Sequence, residues 1–425
     1  MLNSSVLASR KGLTTTQRAA QQLMFKTLDS LKFGQLTILE QFDSDVEESV
    51  VSYRQFGPKP IGDNKINALI EVKHPDFYKR VLSGGSIAAG EAYMDDWWDS
   101  PDLTLVMKLM ALNLESVDRM EKESNWTTNV LKKCVHWLNR NSIENSKKNI
   151  HAHYDLGNDL YFTFLDKEML YSSAYFKDES DTLEQAQLNK MERLCQQLNL
   201  QAGDKVIEIG TGWGAMAIYM VKHYQVEVTT TTISEEQHAY TQQRIQSEGL
   251  EDKITLLKED YRNLTGQYDK LVSIEMIEAV GKEYLPSYIK KCQSLLKPGG
   301  LMAIQAITIA DQRYDSYSND VDFIQKYIFP GGFLPSVTSL AAAATKHSDL
   351  VIRDLFDIGQ DYAKTLKEWR VRFNHAERRV RELGYDERFI RMWRYYFCYC
   401  EGGFLANSIS TIHLTLSRPS SAQDS

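Results

Sequence analysis

The sequence predicts an α/β protein with a doubly wound, mostly parallel sheet, preceded by a smaller α+β domain. Strand-like and helix-like runs alternate from Thr182 onward, which is the rhythm of parallel strands joined by crossover helices. A glycine-rich turn interrupts this region, and strand-like runs bounded by turn residues precede it. With 425 residues and 43% hydrophobic residues, the chain can form two domains with real cores.

The smaller α+β domain is predicted over residues 1–120. A helix begins at about Thr15 and ends before Gly34, and turn residues then separate three strand-like runs, QLTILEQF, SVVSYRQF and NALIEVKH. Two helices follow in HPDFYKRVL and SPDLTLVMKLM, with Ser100 as a natural N-cap for the second. Between them, acidic and aromatic residues in EAYMDDWWDS predict a packed corner.

A helical linker is predicted over residues 121–150. This segment is amphipathic and locally basic, so it either packs on its own protein or lies on an anionic membrane. The larger domain is predicted over residues 151–418, and the polar residues 419–425 predict a disordered tail. The predicted elements of the larger domain are, in order, a helix in LEQAQLNKMERLCQQL, strand 205–209, a helix, strand VEVTTTT, a helix, strand DKLVSIEM, a helix and strand GLMAIQAI.

Charge and cysteine content restrict the function classes. The formal net charge of −8 argues against nucleic acid as a partner, because phosphate binding needs a surplus of Lys and Arg. The five cysteines lack paired spacing, which favours free thiols in a reducing compartment, and no zinc-site spacing predicts a metal. No apolar run approaches the roughly 20 residues that span a bilayer, and the N-terminal residues lack the core of a signal peptide. A cytoplasmic protein, soluble or peripheral to a membrane, is therefore expected.

The segment VIEIGTGWGAMA places three alternate glycines at the end of a predicted strand. Gly210, Gly212 and Gly214 let the chain turn sharply and let a ligand approach the backbone. A dinucleotide fingerprint needs a different glycine spacing and an acid at the end of the second strand, where this chain has threonines. With Glu208 on the first strand, the pattern is the form that methyltransferases use for S-adenosylmethionine, although structural glycines remain an alternative.

Several segments in a fixed order raise the specificity of this interpretation: HAHYDLGNDLYFTFLDKEMLYSSAYF, VIEIGTGWGAMA, TTTISEEQ, SIEMIEAVG and YYFCYCEGGF. In this order they resemble the cyclopropane-fatty-acid-phospholipid synthases, over about residues 60–418 and including GEAYMDDWW. The resemblance implies a Rossmann-like class I methyltransferase fold. It also implies methylene addition from S-adenosylmethionine to the double bond of an unsaturated phospholipid acyl chain, with lipid recognition by the N-terminal domain.

The resemblance assigns residues to the donor. Tyr171 and Ser172 are expected at its methionine part, Gly210 and Gly212 along its path, Thr232 and Gln237 near the ribose, and Asp260 near the adenine; the remaining expected cofactor-binding residues are Glu208, Trp213, Gly214, Ser234 and Tyr261. The bare sequence leaves another interpretation open, in which Thr232 caps a helix and Gln237 is a solvated side chain.

The resemblance also implies that a bicarbonate ion, held by side chains, is the base. Glu278, Tyr362 and Cys400 match its usual positions, whereas Ser173 and Gln305 stand where a cysteine and a histidine are usual. Ser and Gln can hydrogen-bond an anion but cannot replace the proton chemistry of histidine. The alternatives are that Tyr362 and Cys400 are core residues and that Glu278 caps a helix.

The changed positions leave the reaction outcome open between ring closure and a methyl-branched or methylene-bearing chain. A non-catalytic binder of lipid or S-adenosylmethionine is the alternative from another class. The resemblance further implies a phospholipid surface as partner, peripheral association with the inner face of the membrane, and a homodimer as a candidate assembly. The aromatic and apolar segment 313–336 is expected to cap the acyl pocket, or else to be an ordinary helix and loop of the core.

Overall fold

The structure of the chain is a computed structural model that describes residues 13–42, 52–59, 66–114, 157–318 and 321–420. These residues form two compact units. The first contains the described residues up to Leu114 together with Tyr385–Ser408, and the second contains Gly157–Gly384 together with the residues from Ile409 onward. The predicted larger domain, 151–418, had included 385–408. The predicted linker 121–150 and residues 421–425 lie outside the described residues.

The first unit is α+β, as predicted. Its sheet has the strand order β2-β1-β3-β4, in which β1 is antiparallel to β2 and parallel to β3. The strands are β1 (Gln35–Glu40), β2 (Ser52–Phe56), β3 (Asn67–Val72) and β4 (Trp98–Asp99). The helices are α1 (Thr15–Leu28), α2 (Phe77–Met94), α3 (Leu103–Leu112) and, much later in the chain, α14 (Glu387–Leu405).

Helix α14 belongs to this unit because its residues pack on α2, α3 and β4. The nearly buried guanidinium of Arg391 donates to the carbonyl oxygens of Tyr93 and Trp98 and to Asp99 Oδ2, at 3.0 Å for the last two. The predicted packed corner is therefore present, but α2 continues into it as far as Met94. The N-cap prediction for α3 was wrong: Asp102, not Ser100, accepts the N–H of Leu105.

The second unit contains a seven-stranded sheet of order β10-β11-β9-β8-β5-β6-β7. The five strands from β9 to β7 are parallel, which confirms the predicted doubly wound arrangement, and β11 and β10 add antiparallel strands at one edge. Strands β7, β10 and β11 were not among the predicted elements. The strands are β5 (Lys205–Ile209), β6 (Glu227–Thr231), β7 (Ile254–Leu257), β8 (Tyr268–Ile274), β9 (Leu296–Ile309), β10 (Val351–Asp357) and β11 (Ile409–Ser417).

Helices cover both faces of this sheet. Successive residues of β5 point to opposite faces, so that Val206 packs in one core and Ile207 in the other. The helices of this unit are α4 (Asn158–Tyr161), α5 (Leu183–Gln197), α6 (Ala215–Tyr224), α7 (Glu235–Ser247), α8 (Leu285–Leu295), α9 (Asp311–Tyr317), α10 (Phe323–Tyr327), α11 (Val337–His347), α12 (Gly359–His375) and α13 (Glu377–Glu382). Helices α5 and α6 contribute to the Val206 core, and α8 and α11 to the Ile207 core.

The order of the strands places a switch point between β5 and β8. From β5 the chain proceeds to β6 and β7 on one side, and then crosses to β8 and β9 on the other. In open parallel sheets, ligands bind beyond the carboxyl ends of the strands at such a point. Among the helices in the described part of the chain, none has the length and apolar character needed to cross a bilayer.

Candidate active site

The glycine loop that follows β5 is left-handed at every second residue. Gly210, Gly212 and Gly214 have φ values of +97°, +51° and +88°, which residues with a Cβ rarely adopt. A Cβ at Gly212 would meet no atom of the described residues within 4 Å, whereas one at Gly214 would lie 2.8 Å from Thr241 Cγ2 on α7. Gly214 therefore permits helix packing, and Gly212 leaves open space beside the backbone.

Trp213, between two of these glycines, anchors the loop. Its side chain is buried, its Nε1 donates to Asn158 Oδ1 at 2.7 Å, and its ring centroid lies 5.0 Å from that of Tyr161. The indole therefore ties the loop to α4, which fixes the backbone that the glycines leave open.

Polar side chains fill the space between the ends of β5 and β6. Glu208 Oε2 accepts the hydroxyl of Thr230 at 2.6 Å. Burial raises the pKa of Glu208 to about 8, although hydrogen bonds from Thr230 and Thr211 oppose the rise. The carboxyl group of Glu208 is therefore protonated over much of the neutral range in the ligand-free protein.

Thr232, Ser234 and Gln237 form one hydrogen-bonded cluster after β6. Ser234 is the N-cap of α7, where its hydroxyl accepts the N–H of Gln237. The hydroxyl of Thr232 accepts the N–H of Ser234 at 3.1 Å and donates to Gln237 Oε1 at 2.9 Å. Both bare-sequence alternatives were wrong, because Ser234 caps the helix in place of Thr232 and Gln237 is buried.

Asp260 and Tyr261 follow β7. Asp260 caps a short 3-10 helix, and its carboxylate accepts two hydrogen bonds from the Arg262 guanidinium, at 2.8 and 2.7 Å. The Tyr261 ring packs edge-on against Tyr288, with centroids 5.4 Å apart. The Asp260 carboxylate is thus oriented by its own turn.

Ser172 and Tyr171 lie on the loop before α5. Ser172 Oγ accepts a hydrogen bond from Lys190 Nζ at 2.7 Å, and Tyr171 packs with Tyr161 and Trp369, among other aromatic rings. Lys190 is fully buried, which lowers its pKa to about 8 against the opposing charges of Glu275 and Asp166. Sequence reasoning did not identify Lys190, since a single lysine within a helix carries no signal of burial.

Three of the predicted catalytic residues converge on a carboxylate that was not predicted, that of Glu275. Its Oε1 accepts the backbone N–H of Ser173 at 2.8 Å and Nε2 of Gln305 at 2.7 Å. Its Oε2 accepts the hydroxyl of Tyr362 at 2.8 Å. Glu275 lies in the quoted segment SIEMIEAVG, so the signal available was a second acid directly after a parallel strand.

Gln305 is oriented from behind by His413 on β11. Gln305 Nε2 donates to Ser173 O as well as to Glu275, so its Oε1 faces His413 Nε2 at 2.9 Å. An amide oxygen only accepts, and Nε2 of His413 therefore carries the hydrogen. Burial lowers the pKa of His413 to about 3, so the ring is neutral. Sequence reasoning missed His413 because it missed β11.

Glu278 lies three residues after Glu275. Its Oε1 accepts the N–H of Ile307 at 2.5 Å, while its Oε2 is shielded from solvent and has no hydrogen-bond partner among the described residues. Burial, with the negative charge of Glu275, raises the pKa of Glu278 to about 8. Glu278 lies within a 3-10 turn (Ile277–Ala279) and not at its N-cap, so the helix-cap alternative was wrong.

The glycine loop and the turn that carries the carboxylates are neighbours. Met276, which follows Glu275, has its Cγ only 3.3 Å from the position that a Cβ would take at Gly210. The segment predicted as a cap also reaches this turn, because Phe333 N–H donates to Glu278 O at 2.8 Å. Cys400 lies on α14 of the first unit, partly buried, and its participation in the site stays a prediction.

Comparison with known proteins finds relatives that cover most of this chain. The family model described as mycolic acid cyclopropane synthetase matches residues 141–414. Cyclopropane-fatty-acyl-phospholipid synthase of Escherichia coli (strain K12) is 39% identical over 356 residues, which cover 82% of this chain and 87% of that protein. Tuberculostearic acid methyltransferase UfaA1 of Mycobacterium tuberculosis is 37% identical over 366 residues, which cover 82% of each chain.

Solved structures of cyclopropane synthases have a fold similar to that of this chain. Mycolic acid cyclopropane synthase CmaA1, in a structure complexed with SAH and CTAB, superimposes with a TM-score of 0.59 at 27% identity over 64% of this chain and 98% of that one. Cyclopropane synthase MmaA2 of Mycobacterium tuberculosis gives a TM-score of 0.60 at 26% identity with the same coverage. This chain, whose second unit has the fold of the class I S-adenosylmethionine-dependent methyltransferases, therefore belongs to the mycolic acid cyclopropane synthetase family.

Proposed function

We propose that this protein adds a methylene group from S-adenosylmethionine across the double bond of an unsaturated phospholipid acyl chain, forming a cyclopropane. The observation that carries the proposal is the contact at the switch point, where an open glycine loop meets a turn bearing two shielded carboxyl groups. Ring closure needs a methyl donor and a proton acceptor at adjacent positions in a water-excluded site. The name of the Escherichia coli relative supports the same reaction and substrate.

The residues around the glycine loop fit S-adenosylmethionine. The open space beside Gly212 admits a ligand next to the backbone, and the polar cluster of Thr232, Ser234 and Gln237 offers hydroxyl and amide groups nearby. When bound, S-adenosylmethionine supplies an electrophilic methyl group. We assign to the loop that holds it Gly210, Gly212, Gly214, Trp213 and Glu208. We assign its other contacts to Tyr171, Ser172, Asp260 and Tyr261.

A bicarbonate ion fits this site poorly. Three residues expected to hold the ion donate hydrogen bonds to Glu275 instead: Tyr362, Ser173 and Gln305. The ion therefore takes no part in the proposed reaction. Ser173, Gln305 and Tyr362 are proposed to form the anionic part of the site, with Glu278 beside them. Cys400 is proposed for the same part on the resemblance alone.

The substrate implies where the enzyme works. A double bond within a phospholipid lies inside a bilayer, so we propose peripheral association with the inner face of the membrane and lipid recognition by the first unit. Flotation of the protein with oleoyl-containing phospholipid vesicles measures this association. A homodimer is proposed as well, and sedimentation measures it. Neither proposal involves nucleic acid, in keeping with the net charge of −8.

The test of the function is the lipid product. The full chain is incubated with S-adenosylmethionine and vesicles of monounsaturated phospholipid, and the extracted lipid is examined by mass spectrometry and proton NMR. A gain of one methylene with upfield ring protons supports the proposal. Unchanged lipid from folded protein that binds the donor would exclude it.

A second outcome is methyl transfer without ring closure. It is favoured by Gln305, whose amide cannot take up a proton as a histidine would, and by the name of the Mycobacterium tuberculosis methyltransferase relative. The same NMR experiment separates the two reactions. A branched methyl doublet in place of ring protons would show that the added carbon keeps all its hydrogens. An exomethylene signal would show that the added carbon loses a proton without closing the ring.

Replacement of Glu278 separates an enzyme from a non-catalytic binder. Glu278→Gln keeps the acceptor for Ile307 N–H but removes the titratable group. We expect turnover to fall by about 10² to 10⁴, while calorimetry still detects binding of S-adenosylhomocysteine. Wild-type turnover in this variant would remove Glu278 from the mechanism, and absence of turnover in the wild type would favour a binder.

A further inference from the structure

Glu275 adopts an uncommon backbone conformation that directs its side chain inward. It follows the last residue of β8 and has φ of +47°, in the left-handed region that favours glycine. Such strain persists only where the surrounding structure over-determines it, and it concentrates at functional sites. In this case the surrounding structure is a set of hydrogen-bond donors aimed at the carboxylate.

The donors come from three separate elements. Ser173 N–H comes from the loop before α5, Gln305 Nε2 from β9 and Tyr362 Oη from α12, all at 2.7 to 2.8 Å. His413 fixes the orientation of Gln305, and Thr365 fixes the loop by accepting the N–H of Ala174 at 3.0 Å. These three donors, called the cradle below, suit a planar anion, and they hold the carboxylate of Glu275.

The cradle still leaves the carboxylate able to accept a proton. Oε1 of Glu275 accepts two hydrogen bonds, whereas Oε2 accepts only that of Tyr362 among the described residues, so one lone pair remains on Oε2. Burial raises the pKa of Glu275, and the hydrogen bonds together with the charge of Lys190 oppose this rise. The neighbouring Glu278 has a single backbone donor and is the better holder of a shared proton.

We propose that Glu275 is the built-in anion of this site and the base for ring closure, so that the enzyme works without bicarbonate. This inference rests on the proposed function. After methyl transfer, a C–H bond of the new methyl group breaks, and its electron pair forms the second carbon–carbon bond at the cationic carbon of the lipid. The proton passes to Oε2 of Glu275 and from there to solvent. A bicarbonate ion in the same place would compete for the same donors and add a second negative charge beside the Glu275 carboxylate.

The variants that test this inference are chosen to fold. Glu275→Gly removes the carboxylate and suits a φ of +47°, so we expect no loss of stability from the backbone. It also frees the three donors for an ion from solution. Glu275→Gln keeps the size of the side chain without the charge. Glu283→Gln, an exposed acid near the same turn, is the matched control.

The assay compares buffer freed of carbon dioxide with buffer containing bicarbonate. We expect wild-type and Glu283→Gln turnover to be equal in the two buffers within twofold. Glu275→Gly should lose about 100-fold or more in the depleted buffer and recover at least several-fold with bicarbonate. Glu275→Gln should lose turnover without recovery, because the amide blocks the cradle. Binding of S-adenosylhomocysteine should remain in all variants.

A second readout does not depend on turnover. NMR with ¹³C-labelled bicarbonate should show line broadening with Glu275→Gly and none with the wild type. The inference is overturned if the wild type binds the labelled ion or loses turnover in depleted buffer, or if Glu275→Gln retains wild-type turnover. These results differ from failure of the proposed function, in which the wild type produces no modified lipid in either buffer.

Discussion

Single side chains in the second unit show how burial sets protonation. Glu208, Glu278 and Lys190 all have pKa values near 8, and His413 one near 3, each because burial disfavours the charged form. The pair Glu275 and Glu278 divides its roles by the number of donors each receives. Burial raises the pKa of both carboxyls, and the larger number of hydrogen bonds to Glu275 opposes that rise more than the single backbone donor to Glu278.

Glu208 leads to a prediction about stability and pH. Its pKa is 4.5 in the unfolded chain and about 8 when folded, so the folded state retains a proton that the unfolded chain has lost. Its contribution to stability is fully present below pH 4.5 and is lost as the pH rises toward 8. Glu208→Gln should therefore raise the melting temperature, relative to the wild type, more near pH 8 than near pH 4.5.

Calorimetry of the ligand-free protein at both pH values measures this difference. Glu259→Gln, which removes an exposed acid, serves as the control and should show little change at either pH. An equal shift of the melting temperature for Glu208→Gln at both pH values would contradict the assigned titration.

The glycines of the loop separate packing from ligand binding. Gly212→Ala places a Cβ in open space, so it should cost only the left-handed conformation, about 1 to 2 kcal/mol. Gly214→Ala adds a clash with Thr241 and should cost about 1 to 3 kcal/mol more. Denaturant unfolding measures both. Calorimetry should show weakened S-adenosylhomocysteine binding for Gly212→Ala despite its smaller loss of stability; unchanged affinity would place the donor elsewhere.

Among the secondary-structure elements, α14 depends on one buried arginine. Arg391 satisfies two carbonyl oxygens and Asp99, and its guanidinium lies 4.0 Å from the Tyr93 ring centroid. Arg391→Ala removes three hydrogen bonds at a nearly buried position and should lower the free energy of unfolding by about 3 kcal/mol. Arg391→Lys should restore only part, because an ammonium lacks the planar fork of donors.

A surface ion pair on the same helix provides the control. Arg388 is half exposed and donates to Asp95 Oδ1 at 2.8 Å. Arg388→Ala should cost no more than about 1 kcal/mol, because exposed pairs are screened by solvent. Equal losses for Arg388→Ala and Arg391→Ala in urea unfolding would show that burial of Arg391 contributes nothing.

For the protein as a unit, ligand binding and stability are linked. If the second unit binds the demethylated donor, S-adenosylhomocysteine at about 100 times its Kd should raise the free energy of unfolding by about 2.7 kcal/mol. A thermal-shift titration measures this effect. Adenosine alone should shift the melting temperature less, because it lacks the amino-acid part that is proposed to contact Ser172. The absence of any shift with S-adenosylhomocysteine would remove the donor from the proposal.

Local pattern was enough for much of this protein. The alternation of helices and strands predicted the parallel sheet, since the hydrophobic period and the glycines are properties of short segments. The spacing of Gly210 to Gly214 predicted a sharp glycine turn after β5, which the left-handed φ values confirm, and its role as a ligand loop stays a prediction. The order of the motifs identified the family, and Ser173, Gln305 and Tyr362 were all brought together in one place, as the resemblance implied.

Pairings between distant segments were decided by the folded chain. Strand β11 is separated from its neighbour β9 by about a hundred residues, so neither the strand nor His413 on it could be found from local pattern. The same holds for α14, whose place in the first unit depends on contacts such as that of Arg391 with Asp99, which lies 292 residues earlier in the chain. Glu275 lies in a motif that was quoted from the sequence, but the inward direction of its side chain depends on a left-handed φ and on donors from three elements. Sequence supplies the residue types, and only three-dimensional packing determines which of them share a desolvated space.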